Sequence, residues 1–126
     1  WTPSGGAVDN YTMVQEKTIL FPDDDATYNA AAGAVKDTYE MDDLSIPVGS
    51  GLVAAVQVVS SDRKDDVGAV SIHHVLRSNA ADTSGSDFGL GDNYVFTFSE
   101  WDTDPGFAAP WTVAHVNSME AGMERV

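Results

Sequence analysis

Stretches of period-two sequence constrain the fold of this chain more than any other feature. In residues 69–77, apolar or bulky side chains alternate with a second row of residues, the spacing of one face of a β-strand. The first row is Val70, Ile72, His74 and Leu76. Residues 94–101, YVFTFSEW, alternate in the same way. Residues 52–61 are almost all apolar or small and rich in Val, which predicts a strand covered on both faces.

The remaining segments are shorter or punctuated by turn residues. Residues 26–41 predict two short strands about a turn at Gly33, although the alanines would also suit a helical turn. Residues 11–21 are β-prone at both ends and stop at Pro22. Residues 79–93 carry three glycines and three aspartates, which predicts a long loop.

One short helix is predicted near the end of the chain. Thr112 suits its N-cap, and Trp111 before the cap stands at hydrophobic-staple spacing from Val116. Gly122 suits the position just past the helix end, and the last residues are expected to return as a strand. Together these segments predict a single domain, 1–126, with a loop-like start at 1–10: a mostly β, antiparallel, jelly-roll-like β-sandwich with one short C-terminal helix.

The charged segment 62–66, DRKDD, lies between two of the predicted strands. Charged residues at such a position solubilise a turn and keep a strand edge from unwanted pairing. The sequence therefore predicts a hairpin with this segment at its tip. Arg63 or Lys64 could also bridge to a neighbouring subunit.

Net charge narrows the possible partners. Twenty acidic residues against six Lys and Arg give a formal charge of −14. Nucleic acid and anionic membrane surfaces are therefore not expected as partners, since both need a basic face. The chain has no cysteine, which rules out disulfides and thiolate chemistry. It starts at Trp1 without a signal peptide, which suggests a processed chain or a segment of a longer one.

The adjacent histidines, His73 and His74, are the first candidates for chemistry. Neighbours on a strand point to opposite faces, so the two rings cannot hold one ion together. His74 shares its row with apolar residues and is expected to be a partly buried, hydrogen-bonded packing residue. The same interpretation applies to His115 on the helix.

The acidic residues offer two candidate calcium loops. Asp23-Asp24-Asp25 and Asp102-x-Asp104 could supply carboxylate oxygens to a hard cation. Neither matches the twelve-residue EF-hand pattern, and aspartate is also common in turns such as Asp104-Pro105-Gly106. We therefore predict no metal site, no cofactor and no catalytic residue, and expect no enzyme activity.

Two weaker signals concern carbohydrate. Asn10-Tyr11-Thr12 fits a glycosylation sequon, a triplet that often occurs by chance. Trp1, Trp101 and Trp111 could stack on sugar, but packing is the expected use of Trp101 and Trp111. No G-x-S-x-G elbow or phosphate-binding glycine loop is present.

The second half of the chain resembles a group of small virion-associated structural proteins of tailed bacteriophages. The resemblance lies in AVQVVSSDRKDDVGAVSIHHVLRSN, then YVFTFSEWDTDP, then WTVAHVNSMEAGMERV. It runs from about Leu52 to Val126 and is only loose before that. The pattern departs from the group at His73 and His74, where plainer strand residues are expected.

The resemblance implies a β-sandwich component of a phage particle, located in the tail and its appendages or on the capsid surface. None of the shared motifs is catalytic. The expected function is therefore that of a non-enzymatic virion protein that forms homo-oligomers and contacts other virion proteins. The alternatives are a jelly-roll module that binds host-surface glycan and a subunit of an extracellular filament.

Overall fold

The structure is a computed structural model, and it describes residues 1–4, 9–14 and 25–126. Its strands are β1 (Thr2–Pro3), β2 (Asn29–Ala30), β3 (Lys36–Glu40), β4 (Val56–Asp62), β5 (Ser71–Ser78), β6 (Ala81–Ser84), β7 (Phe88–Gly89), β8 (Val95–Trp101) and β9 (Glu120–Arg125). A 3-10 helix spans Asn10–Met13, and the helix α1 spans Val113–Asn117.

All the strand pairs are antiparallel, and they form three sheets. The largest sheet has the order β3-β9-β5-β6, with β7 also paired to β5. The strands β4 and β8 form a second sheet, in register from Val56 opposite Trp101 to Asp62 opposite Val95. The short strands β1 and β2 form the third. The protein is thus mostly β, as predicted from the alternating sequence.

The charged segment is not the tip of a hairpin, and that prediction is wrong. The strand before it, β4, pairs with β8, whereas the strand after it, β5, pairs with β6, β7 and β9. Residues 63–70 therefore carry the chain from one sheet to another. The two flanking strands are close in sequence, but each finds its partner far along the chain.

The strand predictions differ in their outcome. The segment 26–41 does contain two strands on either side of Gly33, and the last residues do return as a strand. The predicted long loop at 79–93 instead contains β6 and β7. Most of the β-prone segment 11–21 lies outside the described residues, and its described start belongs to the 3-10 helix. The predicted loop-like start likewise contains β1.

The helix is shorter than predicted. Thr112 is its N-cap, and the Thr112 hydroxyl accepts a hydrogen bond from the backbone N–H of His115 at 3.2 Å. The helix ends at Asn117, so Gly122 does not stand just past the helix end, as predicted, but lies inside β9. There Gly122 stands between Thr38 of β3 and Val75 of β5.

A small apolar core lies where the helix meets the strands. Its buried members are Val56, Leu76, Trp111 and Met119, with Val53, Trp101 and Val116 packed against them. The Trp111 indole N–H donates to the carbonyl oxygen of Trp101 at 2.9 Å, which satisfies its polar atom. The predicted packing roles of Trp101 and Trp111 are confirmed.

Candidate functional site

The most distinctive polar cluster of the described residues surrounds His74. This residue is on β5 and has no exposed surface. Its Nε2 atom lies 2.8 Å from the hydroxyl oxygen of Ser60 on β4, and its Nδ1 atom lies 2.9 Å from that of Ser99 on β8. One imidazole therefore joins side chains from three strands and two sheets. The prediction of a hydrogen-bonded packing residue is confirmed, and His74 is fully buried where partial burial was predicted.

The cluster ends at Asp62, the last residue of β4. The Asp62 carboxylate accepts hydrogen bonds from the hydroxyl of Ser60 and, at 2.8 Å, from the hydroxyl of Thr97. Burial raises the pKa of the Asp62 carboxyl, and the two hydroxyl donors partly oppose that rise. Asp62 is thus held in place by hydroxyl groups and has no cationic partner among these contacts.

The contacts determine where the protons lie. Ser60 and Thr97 each have one hydroxyl proton, and both hydroxyls donate to Asp62. The Ser60 oxygen therefore accepts from His74, so the proton of the neutral imidazole is on Nε2. Its Nδ1 atom then accepts from the hydroxyl of Ser99. Each nitrogen of the imidazole and each of the three hydroxyls therefore has a partner of the right kind.

The cluster contains serine, histidine and aspartate but is not arranged as a catalytic triad. In a triad the imidazole lies between the hydroxyl and the carboxylate. Here the hydroxyls of Ser60 and Thr97 lie between His74 and Asp62. Burial, with a smaller contribution from His73, lowers the pKa of His74 to about 4, so it is neutral at pH 7. His74 has no exposed surface, and its two hydrogen bonds tie the larger sheet to the β4–β8 sheet.

A glycine makes room for this cluster. A Cβ atom on Gly85 would lie 2.3 Å from the hydroxyl oxygen of Ser99. The N–H of Gly85 also donates to the carbonyl oxygen of His74 at 2.9 Å. Any larger residue at position 85 would therefore move Ser99 away from His74.

His73 lies on the opposite face of β5, as predicted from strand geometry. Its Nδ1 atom is 3.0 Å from a carboxylate oxygen of Asp87, and its Nε2 atom is 3.2 Å from one of Glu124. The two carboxylates approach different nitrogens on opposite sides of the ring. In residues 1–4, 9–14 and 25–126, no group of three or more His, Cys, Asp or Glu side chains could hold a metal ion.

The third histidine, His115, contacts the buried Asp104. Their nearest atoms, Nδ1 and Oδ2, are 2.9 Å apart, although the direction of approach does not suit a hydrogen bond. Phe107 stacks on the His115 ring, with 4.0 Å between centroids. The other oxygen of Asp104 accepts from the N–H of Gly106 at 3.0 Å.

These contacts bear on the two calcium candidates. Asp104 has no exposed surface and both its oxygens face groups of this chain, whereas Asp102 is exposed. The pair does not form an open loop of oxygen ligands. In the other candidate, Asp23 and Asp24 lie outside the described residues, and Asp25 accepts from Arg63 at 2.9 Å and from Tyr94 at 2.9 Å.

Arg63 and Lys64, the cations of the charged segment, have partners within the chain. Arg63 also lies over the Tyr94 ring, with its guanidinium carbon 5.3 Å from the ring centroid. Lys64 donates to the carbonyl oxygen of Gly68 at 2.7 Å. The prediction that one of them bridges to a neighbouring subunit stays a prediction.

The outer face of the β4–β8 sheet exposes large apolar side chains. Phe96 and Phe98 of β8 are 55% and 59% exposed, and Val59 of β4, directly opposite Phe98, is 37% exposed. The small polar residues of β8, Thr97 and Ser99, are buried instead. The prediction that 52–61 is covered on both faces is therefore wrong, because one face of β4 belongs to this open surface, which we call the outer face.

Sequence reasoning missed most of the His74 cluster. Ser60, Asp62, Thr97 and Ser99 stand at alternate positions of two strands, and that spacing places each pair on one face. The signal was present in the sequence, but small polar residues on a strand usually face solvent. Only the pairing of β4 with β8 brings the two rows together.

The described residues define a mostly β protein with antiparallel sheets and one short α-helix, in which a buried polar cluster joins two of the sheets. No protein-family model, no curated protein and no solved structure matches this chain. The resemblance to phage virion proteins therefore stays a prediction. None of the helices in the described part of the chain is long and apolar enough to cross a membrane.

Proposed function

We propose that this chain is a non-enzymatic structural protein that assembles with further copies of itself through the outer face of its β4–β8 sheet. The carrying observation is the exposure of Phe96, Phe98 and Val59 side by side on that face. Contiguous exposed apolar patches mark interaction surfaces, because leaving them in water is unfavourable.

The distribution of negative charge supports the outer face as the contact between copies. Each copy has a formal charge of −14, so copies repel one another over most of their surface. On the outer face the residues are Gln57, Val59, Ser61, Phe96, Phe98 and Glu100. Only one of these six residues, Glu100, carries a carboxylate, so repulsion between two copies is small at this face.

The setting that we propose is a tailed-phage particle, in the tail and its appendages or on the capsid surface. Its support is the sequence resemblance across residues 52–126. The finer fold that we propose is a jelly-roll-like sandwich, because His74 on the larger sheet faces side chains of the β4–β8 sheet. Mass spectrometry of purified phage particles from the source is expected to detect the chain, and its absence from intact particles would contradict the setting.

Light scattering on the purified chain tests self-assembly. We expect a mass above that of the monomer, rising with salt because salt screens the repulsion between acidic copies. Phe98→Ser is expected to weaken association by about tenfold or more. Val67→Ser is the matched control, since Val67 is 99% exposed but lies on the connection between β4 and β5. A wild-type monomer at every salt and protein concentration would contradict the proposal.

A second candidate function is binding of host-surface carbohydrate. A shallow depression beside β8 is lined by the aromatic rings of Phe88, Phe98 and Trp101, together with Ser84, Ser86 and Glu100. Aromatic rings with hydroxyl and carboxylate groups nearby are typical of sugar-binding surfaces. Titration with a panel of host-surface oligosaccharides tests this candidate: binding by the monomeric chain supports it, and no binding at millimolar sugar rules it out.

A further inference from the structure

A cleft of about 640 Å³ borders the β4 strand. Residues 57–66 line it without interruption. Successive side chains of a strand point to opposite faces, so a wall made of consecutive residues is the edge of the strand and not one of its faces. The cleft therefore exposes the edge of β4 that faces away from β8.

That edge can form hydrogen bonds. Among the described residues, β4 pairs on one side only, with β8. In an antiparallel pair only every second residue of a strand bonds to its partner strand, and the N–H and C=O groups of the others point to the free edge. An extended segment that enters the cleft can therefore pair with β4 as a third strand of the sheet.

Part of the cleft wall is apolar and adaptable, beside charged residues such as Asp66 and Arg125. All four methionines of the chain line the cleft, and Ile72 and Ala121 lie beside these on the larger sheet. The methionines are Met13, Met41, Met119 and Met123. Unbranched, polarizable methionine side chains adapt to different apolar partners. Such walls suit alternate side chains of an added strand, whatever their exact shape.

We propose that this cleft binds an extended segment of a partner protein by strand addition to β4, with apolar side chains at alternate positions and basic residues at its flanks. Main-chain pairing at an exposed sheet edge supplies affinity in this mode, and the pockets for alternate side chains supply specificity. The basic flanks follow from the charge of −14, which attracts cationic partners.

The inference rests on the proposed function only in that both use the β4–β8 sheet for binding. Self-assembly uses the outer face and strand addition uses the edge, and Val59 and Phe96 of the outer face also line the cleft. Phe98 does not line the cleft, so Phe98→Ser separates the two. All titrations are therefore performed on the Phe98→Ser chain, in which self-association is weakened and the cleft residues are unchanged.

The first measurement is hydrogen exchange of the β4 amides in the free chain. We expect alternate amides from Val56 to Asp62 to be protected by β8 and the intervening ones to exchange fast. Protection of every β4 amide in the free monomer would overturn the proposal, because it would show that the edge is already paired within the chain.

The second measurement is a titration with synthetic capped peptides in which Val, Ile or Phe alternates with Thr between flanking Lys residues. Binding is expected to protect the fast-exchanging β4 amides. The matched control peptide carries one central N-methyl group, which removes a main-chain donor but keeps the side chains. We expect it to bind about tenfold more weakly or worse.

A variant of the cleft completes the test. Met41 lines the cleft and is partly exposed, so Met41→Lys places a charge against the basic peptide with little risk to folding. Val48→Lys is the control, since Val48 is exposed and does not line the cleft. Equal binding of the N-methylated peptide, equal effects of the two variants, or no binding of any peptide at millimolar concentration would each overturn strand addition.

Discussion

The imidazole of His74 lies 2.8 Å from the hydroxyl of Ser60, and these two residues belong to strands of different sheets. Together with the bond from Ser99 to His74, this contact joins the larger sheet to the β4–β8 sheet through side chains. Buried polar groups are costly when left without partners, so each member of the cluster depends on the others.

Replacement of His74 is expected to destabilise the fold. His74→Leu removes the imidazole from the half-buried hydroxyl of Ser60 and the buried hydroxyl of Ser99 and leaves each short of a partner, which should lower the free energy of unfolding by about 2–4 kcal/mol. His73→Gln is the neighbouring control, because the carboxylates beside His73 are partly exposed. It should cost about 1 kcal/mol or less. Urea denaturation measures both, and equal costs would contradict the prediction.

The cost of His74→Leu should depend on pH. The pKa of His74 is lowered from 6.5 to about 4 in the folded state. As pH falls from 6.5 to 4, the unfolded chain binds a proton here that the folded chain does not, so the contribution of His74 to stability decreases by up to about 3 kcal/mol. The stability difference between wild type and His74→Leu should therefore narrow toward acid.

Urea denaturation at a series of pH values tests this narrowing. Asp62 has a raised pKa, so its effect has the opposite sign: the unfavourable burial of its charge is relieved as pH falls. Asp62 is present in both the wild type and the His74→Leu protein. The difference in stability between these two proteins therefore contains a smaller contribution from Asp62 than either stability alone. A constant difference between pH 7 and pH 4 would show that His74 is not held neutral by the fold.

A side chain at Gly122 should disrupt the pairing of β3 with β9. A Cβ atom there would lie 2.0 Å from the carbonyl oxygen of Asp37 and 2.7 Å from the Cα atom of Thr38, both backbone atoms. Gly122→Ala should cost about 3 kcal/mol or more, since the strands must separate. Gly91→Ala, with nothing within 4 Å of the added atom, should be close to neutral. Thermal unfolding of the two variants measures both costs. A Gly122→Ala protein as stable as wild type would refute the close approach of β3 to Gly122.

Asp104 and His115 should be energetically coupled. Asp104 is fully buried, and the imidazole of His115 is 2.9 Å away. A double-mutant cycle with Asp104→Ala and His115→Leu should give a coupling free energy of about 1–3 kcal/mol. A cycle with Asp102→Ala in place of Asp104→Ala should give less than about 0.5 kcal/mol, because Asp102 is exposed. Similar values in the two cycles would mean that the contact does not stabilise the fold.

The amino-acid sequence by itself determined the local features of this protein. Period-two spacing indicated β5 and β8, placed His73 and His74 on opposite faces, and put His74 among apolar neighbours. The hydroxyl of Thr112 indicated the start of the helix. These features depend on residues that are one to four positions apart, so a local pattern is enough to reveal them.

Tertiary structure decided which strands pair and which faces are covered. The strand β4 pairs with β8 and not with the adjacent β5, and this pairing places Ser60, Thr97 and Ser99 around His74 while it leaves Phe96 and Phe98 outside. Within β9, position 122 requires glycine because the β3 backbone approaches it too closely for a side chain. Long-range pairing depends on the burial and hydrogen bonding of the whole fold, which no local pattern contains.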